Sequence, residues 1–136
     1  MKPRHALALL GLCGGLLAAH AGTAPDAAAL HRGEELYARC GACHAIEGHR
    51  TGPQHCGLWG RRAGTAPGFA GYTQALRDSH IVWDGRTLDR FLKNPGAMVP
   101  GTAMGYAGIP DAQERADLIA WLQQATRPGV ACQPKP

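Results

Sequence analysis

Apolar residues recur at helical spacing in three stretches of the chain, and two long loops rich in glycine and proline separate them. The first predicted helix runs from about Asp26 to Cys40, the second from about Asp84 to Lys93, and the third from about Ala112 to Thr126. No stretch sustains the period-two alternation of a half-buried strand. The pattern therefore predicts an all-α fold.

Residues at the ends of the predicted helices support these boundaries. Asp84 is suited to cap the second helix, and Asn94-Pro95 predicts its end. Asp111 and Glu114 form an Asp-x-x-Glu start for the third helix that resembles a capping box.

Gly33 interrupts the first predicted helix, where a glycine costs about 1 kcal/mol relative to alanine. A residue without a side chain at this point indicates that another helix crosses closely. We expect the partner to be Trp121, on an apolar stripe of the third helix that also includes Leu118, Ile119, Leu122 and Ala125.

The N-terminal segment is typical of a secretory signal peptide. Lys2 and Arg4 precede the apolar run of residues 6–19, and Ala19-His20-Ala21 places small residues at the cleavage positions. Because two basic residues leave with this segment, the formal net charge falls from +4 to +2. The remainder shows no basic block, so nucleic-acid binding lacks its electrostatic footprint.

We therefore predict a signal peptide at 1–21, one domain at 22–136, and export to the bacterial periplasm. Two alternatives remain open. The signal could stay uncleaved as a membrane tether, although the apolar run is short for a span. Cys13 could carry a lipid, although Leu12 stands where a small residue is expected.

Cys40-Gly41-Ala42-Cys43-His44 is a C-x-x-C-H motif, which is typical of covalent haem attachment. Its two thiols form thioethers with the haem vinyl groups, and the adjacent imidazole is held where it reaches the iron. A thiol redox pair is an alternative, although such pairs lie near a βαβ pattern that is absent here. A zinc site completed by His49, His55 and Cys56 is another.

Further motifs follow in a distinctive order: Gly52-Pro53-Gln54-His55-Cys56-Gly57, Gly60-Arg61, Gly68-Phe69, Tyr72, Trp83, Asn94-Pro95, Pro100-Gly101-Thr102-Ala103-Met104 and residues 114–122. Together they resemble class I cytochrome c, in the branch of mitochondrial cytochrome c and bacterial cytochrome c2. The resemblance covers about Gly33 to Thr126. It implies three main helices around one haem c, bound covalently through Cys40 and Cys43.

The resemblance also implies the iron ligands and their surroundings. His44 is the first ligand, and Met104 is the second because it follows the family's Pro-Gly-Thr tripeptide; Met98 is left to packing or the surface. Pro53 matches the proline whose carbonyl accepts the N–H of the axial histidine and so raises its donor strength. Further haem contacts are expected from Arg61, Tyr72, Thr73 and Trp83, which match positions around the propionates, and from Thr102.

Some positions depart from the family pattern. His55 stands where the family usually has an apolar residue, and it could act as a second ligand. Ala103, Pro110 and Ala112 replace lysines of the mitochondrial forms, which puts docking through a ring of lysines in doubt.

Cys56 and Cys132 are the cysteines that remain once Cys13 leaves with the signal and the motif cysteines bind haem. Because exported proteins meet oxidising conditions, we predict a disulfide between them. Two unpaired thiols, or a bridge from Cys132 to a second chain, are the alternatives.

The function that the resemblance implies is one-electron transfer, without enzymatic turnover, by an iron that keeps both axial ligands. The partners would be two redox proteins, an electron donor and an electron acceptor. We expect neither nucleic acid nor a small-molecule substrate to bind, and we predict a monomer. The alternatives are a haem peroxidase and an electron-accepting cytochrome dedicated to one periplasmic dehydrogenase.

Overall fold

A computed structural model describes residues 26–129 and 132, and five α-helices form in this part of the chain. Helix α1 spans Ala27–Tyr37 and continues as a 3-10 turn over Ala38–Cys40; α2 spans Gln74–Asp78, α3 Gly85–Lys93, α4 Pro95–Met98 and α5 Ala112–Ala125. Between residues 26 and 132, β-type pairing is limited to isolated bridges, as the all-α prediction requires. The predicted signal peptide, with Cys13, lies outside the described residues.

The three helices predicted from periodicity are confirmed as α1, α3 and α5, with caps at the expected residues. The Thr87 N–H donates to the Asp84 carboxylate at 2.7 Å, and the Asp84 N–H donates to the Thr87 hydroxyl at 2.9 Å, which completes a capping box. At the start of α5 the Glu114 N–H donates to Asp111 at 2.8 Å. Side chains close to each helix in sequence therefore satisfy its first free N–H groups.

Helix α4 lies in the segment predicted as a loop after α3, and α2 follows the glycine-rich loop, in a stretch where no helix was predicted. Each is about one turn long, which is too short for a hydrophobic period to show. Side-chain caps begin them: the Leu76 N–H donates to Thr73 at 3.4 Å, and the Ala97 N–H donates to Asn94 at 2.9 Å. Asn94-Pro95 ends α3 as predicted, but it also starts α4, because proline is favoured at the first position of a helix.

Helices α1 and α5 cross at Gly33, as predicted. A Cβ atom on Gly33 would lie 2.6 Å from the Cβ of Trp121 and would also collide with the Asp117 carbonyl. Beside the crossing, Arg32 donates to the Asp117 carboxylate at 2.6 Å. The absence of a side chain at Gly33 thus lets the two helix backbones approach closely.

A second link joins α5 to α3 and to the loop before α5. Arg115 is 6% exposed, and it donates to the Asp89 carboxylate at 2.7 Å and to the Ile109 and Pro110 carbonyls at 2.9 and 2.8 Å. With these links in place, the apolar faces of α1, α3 and α5 meet in one core together with the loop residues Leu58 and Ile109; the helices contribute Leu36, Leu88, Phe91, Leu92, Leu118 and Leu122. None of the helices between residues 26 and 129 has the length and hydropathy needed to cross a membrane.

Candidate functional site

A cavity of about 450 Å³ opens between the three long helices and the loops that join them. Its walls include apolar side chains of α3 and α5, among them Leu88, Phe91, Leu118 and Leu122. The structure brings every predicted haem contact to this one cavity: Cys40, Cys43, His44, Pro53, Arg61, Tyr72, Thr73, Trp83, Thr102 and Met104. Residues that span more than 60 positions of sequence, from Cys40 to Met104, therefore converge on one site.

The C-x-x-C-H motif reaches the cavity through the 3-10 turn that ends α1. The Cys43 and His44 N–H groups both donate to the Cys40 carbonyl, at 3.0 and 2.9 Å, so the chain turns tightly between the two thiols. Neither Cys40 nor Cys43 is paired in a disulfide. This turn brings both thiols and the imidazole to one side of the cavity.

The His44 ring is held in the tautomer that a metal ligand needs. Its Nδ1 lies 2.7 Å from the Pro53 carbonyl oxygen. Because a carbonyl can only accept, Nδ1 carries the proton and Nε2 keeps its lone pair. Gly52 packs against the ring: a Cβ there would lie 2.8 Å from Nδ1 and from Nε2. Burial lowers the pKa of His44, which also favours the uncharged ring.

The two described methionines occupy different sites. Met104 lines the cavity, and its N–H donates to the Thr102 hydroxyl at 3.3 Å, which orders the turn that carries it. Met98, at the end of α4, borders a separate surface groove with His80 and Val82. The arrangement thus offers the thioether of Met104 to a group in the cavity, and not that of Met98.

Arg61 supplies a buried donor without a partner. Its terminal nitrogens donate to the Cys56 and Gln54 carbonyls at 2.7 and 3.2 Å, but its Nε is buried with no hydrogen-bond partner among the described residues. Burial also lowers the pKa of Arg61. An anionic group in the cavity would satisfy both the unpaired N–H and the buried charge.

The remaining predicted contacts are ordered by their own neighbours. Tyr72 accepts a hydrogen bond from the Ala66 N–H at 3.2 Å through its hydroxyl. Trp83 is 7% exposed, and its ring centroid lies 5.0 Å from that of Phe91. The cavity as a whole fits haem c with its acidic propionates. It offers two thiols, a histidine with a free Nε2, a thioether, apolar walls and an unpaired arginine donor.

His55 forms contacts that no sequence pattern indicated. Its ring stacks on the His44 ring, with centroids 4.4 Å apart and planes 21° apart, and the Tyr37 hydroxyl lies 3.1 Å from its Nδ1. Burial, followed by the nearby His44 and Arg61, lowers the pKa of His55 to about 3. His55 is half-buried and lines the cavity.

The zinc alternative has no support in the described part of the chain. Among residues 26–129 and 132, no three His, Cys, Asp or Glu side chains are arranged to hold a metal ion. Both ring nitrogens of His49 instead meet backbone groups: Nε2 lies 2.9 Å from the Pro67 carbonyl oxygen, and Nδ1 accepts from the Gln54 N–H at 3.0 Å. Cys56 faces Cys132, with their Cα atoms 5.2 Å apart and Cys132 3% exposed.

Comparison with known proteins matches residues 30–126 to the Cytochrome c family. Cytochrome c of Chlamydomonas reinhardtii is 46% identical over 101 residues, which cover 71% of this chain and 89% of that protein. Cytochrome c2 of Rhodomicrobium vannielii is 41% identical, covering 67% and 74%. The solved structure of cytochrome cH from Methylobacterium extorquens is 40% identical with a TM-score of 0.67, covering 74% of this chain and 99% of that one.

Proposed function

This chain belongs to the cytochrome c family, and from that premise we propose which of its residues hold the haem and where the protein works. The protein binds one haem c covalently and carries electrons; it is not an enzyme. It acts with redox partner proteins, as the family does.

We propose that Cys40 and Cys43 form the thioethers and that His44 and Met104 are the axial ligands. One observation carries this assignment: the free Nε2 of His44 and the thioether of Met104 line the same cavity as both thiols. The bound haem supplies the iron that alternates between its ferric and ferrous states. With His44 and Met104 both bound to the iron, small ligands would find no open site, which favours electron transfer over activation of oxygen or peroxide.

Other residues of the cavity tune and shield this group. The Pro53 carbonyl keeps the proton on Nδ1 and so raises the donor strength of His44. The unpaired Nε of Arg61 is a donor for a propionate, and Tyr72, Thr73, Trp83 and Thr102 would complete the contacts around the ring. The apolar walls would keep water from the iron. Fewer solvent dipoles would then have to reorient at each electron transfer, which lowers the reorganisation energy.

We further propose that residues 1–21 are a cleaved signal peptide and that residues 22–136 work in the periplasm as a monomer. The basic start, the short apolar run and the small residues at 19–21 support export. In that oxidising compartment Cys56 and Cys132 would form a disulfide, and their Cα separation of 5.2 Å lies within the range that such a bond needs.

The ligand assignment is tested by optical spectra of Met104→Ala and Met98→Ala. The first should lose the absorption band of a methionine–iron bond, show a lower potential and bind added imidazole. The second is the matched control and should keep all three properties of the parent protein. If the band survives in Met104→Ala and disappears in Met98→Ala, the assignment is wrong.

The disulfide is tested by thiol titration of the denatured, unreduced holoprotein. We expect no free thiol, because the motif cysteines are thioethers and the other pair is bridged. Two free thiols per chain would exclude the bridge, and a dimer that separates on reduction would show that it forms between chains.

A further inference from the structure

His55 is a polar ring on the wall of an otherwise largely apolar cavity. The ring is half-buried, and a polar group in such a place is expected to have a partner, because desolvation without a hydrogen bond is costly. The nitrogen Nδ1 meets the Tyr37 hydroxyl at 3.1 Å, and the face of the ring lies 4.4 Å from that of His44. The edge of the His55 ring is therefore hydrogen-bonded to Tyr37, and its face is stacked on His44.

Neighbouring groups hold the His55 ring in its contact with His44. The His55 N–H donates to the Ala45 carbonyl at 3.0 Å, directly beside His44 in sequence. Tyr37 belongs to α1, and its ring lies 4.6 Å from that of Trp121 on α5. The position of His55 is thus set by the crossing of α1 and α5 and by its own backbone.

Two other contacts bear on the orientation of the His44 plane. The hydrogen bond to Pro53 holds one atom of the ring, at 2.7 Å, and Gly52 packs against it. A nearly parallel neighbour, 21° away in plane, restrains the whole ring against rotation about the bond from Nε2 to the iron. That rotation decides how the histidine orbitals overlap those of the metal.

We propose that His55 is a positioning residue: held by Tyr37, it fixes the rotation of the axial His44 ring and so sets the electronic asymmetry of the haem. This inference rests on the proposed role of His44 as a ligand. A leucine at position 55 would fill similar space, but it has no flat face and no acceptor for the Tyr37 hydroxyl. Only the histidine can therefore both stack on the His44 ring and accept a hydrogen bond from Tyr37.

Proton NMR of the oxidised holoprotein tests the proposal, because the shifts of the haem methyl groups near a paramagnetic iron depend on the orientation of the axial ring. His55→Leu should change the order or the spread of these methyl shifts. His55→Phe keeps a flat ring but loses the hydrogen bond to Tyr37, so it should preserve the order of the shifts and move them no further than Tyr37→Phe does. Tyr37→Phe releases His55 and should move the shifts in the same direction as His55→Leu, by less.

Each outcome has a defined meaning. Parental methyl shifts in His55→Leu would overturn the proposal and leave His55 as a space-filling residue. If His55→Leu does not retain haem, His55→Met provides the same comparison. The methionine–iron band should persist in all variants; a parent protein without that band would instead overturn the ligand assignment under the proposed function. The two failures are therefore distinguishable.

Discussion

Replacing Gly33 by alanine probes the contact on which the arrangement of α1 and α5 depends. The added Cβ would lie 2.6 Å from the Cβ of Trp121 and 2.9 Å from the carbonyl carbon of Asp117. Carbon atoms in optimal contact stand about 3.5–4.0 Å apart, so the helices would have to separate by about 1 Å. The obstacles are backbone and Cβ atoms, which cannot rotate away.

Two opposing effects determine the size of the change. Overpacking a core costs about 1–3 kcal/mol, and this site belongs at the upper end because nothing flexible can yield. Alanine returns about 1 kcal/mol of helix propensity. We therefore expect the free energy of unfolding to fall by about 2 kcal/mol, which for a domain of this size lowers Tm by about 8 °C.

Thermal and guanidinium unfolding of the holoproteins measure this loss. Gly85→Ala, at the first residue of α3, is the control, because its Cβ would lie 3.8 Å from Ile119, an ordinary contact. That variant should be as stable as the parent protein or slightly more so. A Gly33→Ala protein as stable as the parent, beside a normal control, would show that the close approach does not limit the packing.

Three other predictions concern acid stability, the disulfide and partner binding. Hydrogen bonding from Arg32 holds the pKa of Asp117 below its usual range, so this pair stabilises the fold above about pH 4 and loses that effect as pH falls through the lowered pKa. The unfolding midpoint of Asp117→Asn should therefore drop less on acidification than that of the parent protein. Parallel curves of midpoint against pH for the two proteins would contradict this. Replacing both Cys56 and Cys132 by serine opens a loop of 76 residues and should cost up to about 4 kcal/mol in denaturant unfolding without altering the spectrum, whereas an unchanged midpoint would speak against the bridge. Electron-transfer rates with partners should fall only a few-fold from low to physiological salt, because the charge of the mature chain is small; a steep fall would show strong electrostatic steering.

The candidate site was predictable because short motifs carry its chemistry. The C-x-x-C-H run predicts the attachment point, and the resemblance of Pro100-Gly101-Thr102 to the family's tripeptide favours Met104 over Met98 as a ligand. In the structure Met104 lines the cavity, and Met98 borders a separate groove. Likewise, a glycine within a helical period was enough to predict the crossing with Trp121.

Other features could not be predicted from the sequence, because they involve a single helical turn or residues that are distant in sequence. Helices α2 and α4 are too short to show a period, so only their caps at Thr73 and Asn94 could have indicated them. The stacking of His55 on His44 joins residues 11 positions apart on a loop without regular structure. No local pattern predicts which face of a ring such a loop presents.

The sequence by itself determined the long helices, their caps and the presence of the C-x-x-C-H motif. These features follow from side-chain spacing and from hydrogen bonds between near neighbours, which act before the chain is compact. Only the tertiary structure decided the pairing of Arg32 with Asp117, 85 positions away, the unpaired Nε of Arg61 and the contact between His44 and His55. Those depend on how the helices cross, because burial and ring stacking are set by neighbours that are distant in sequence.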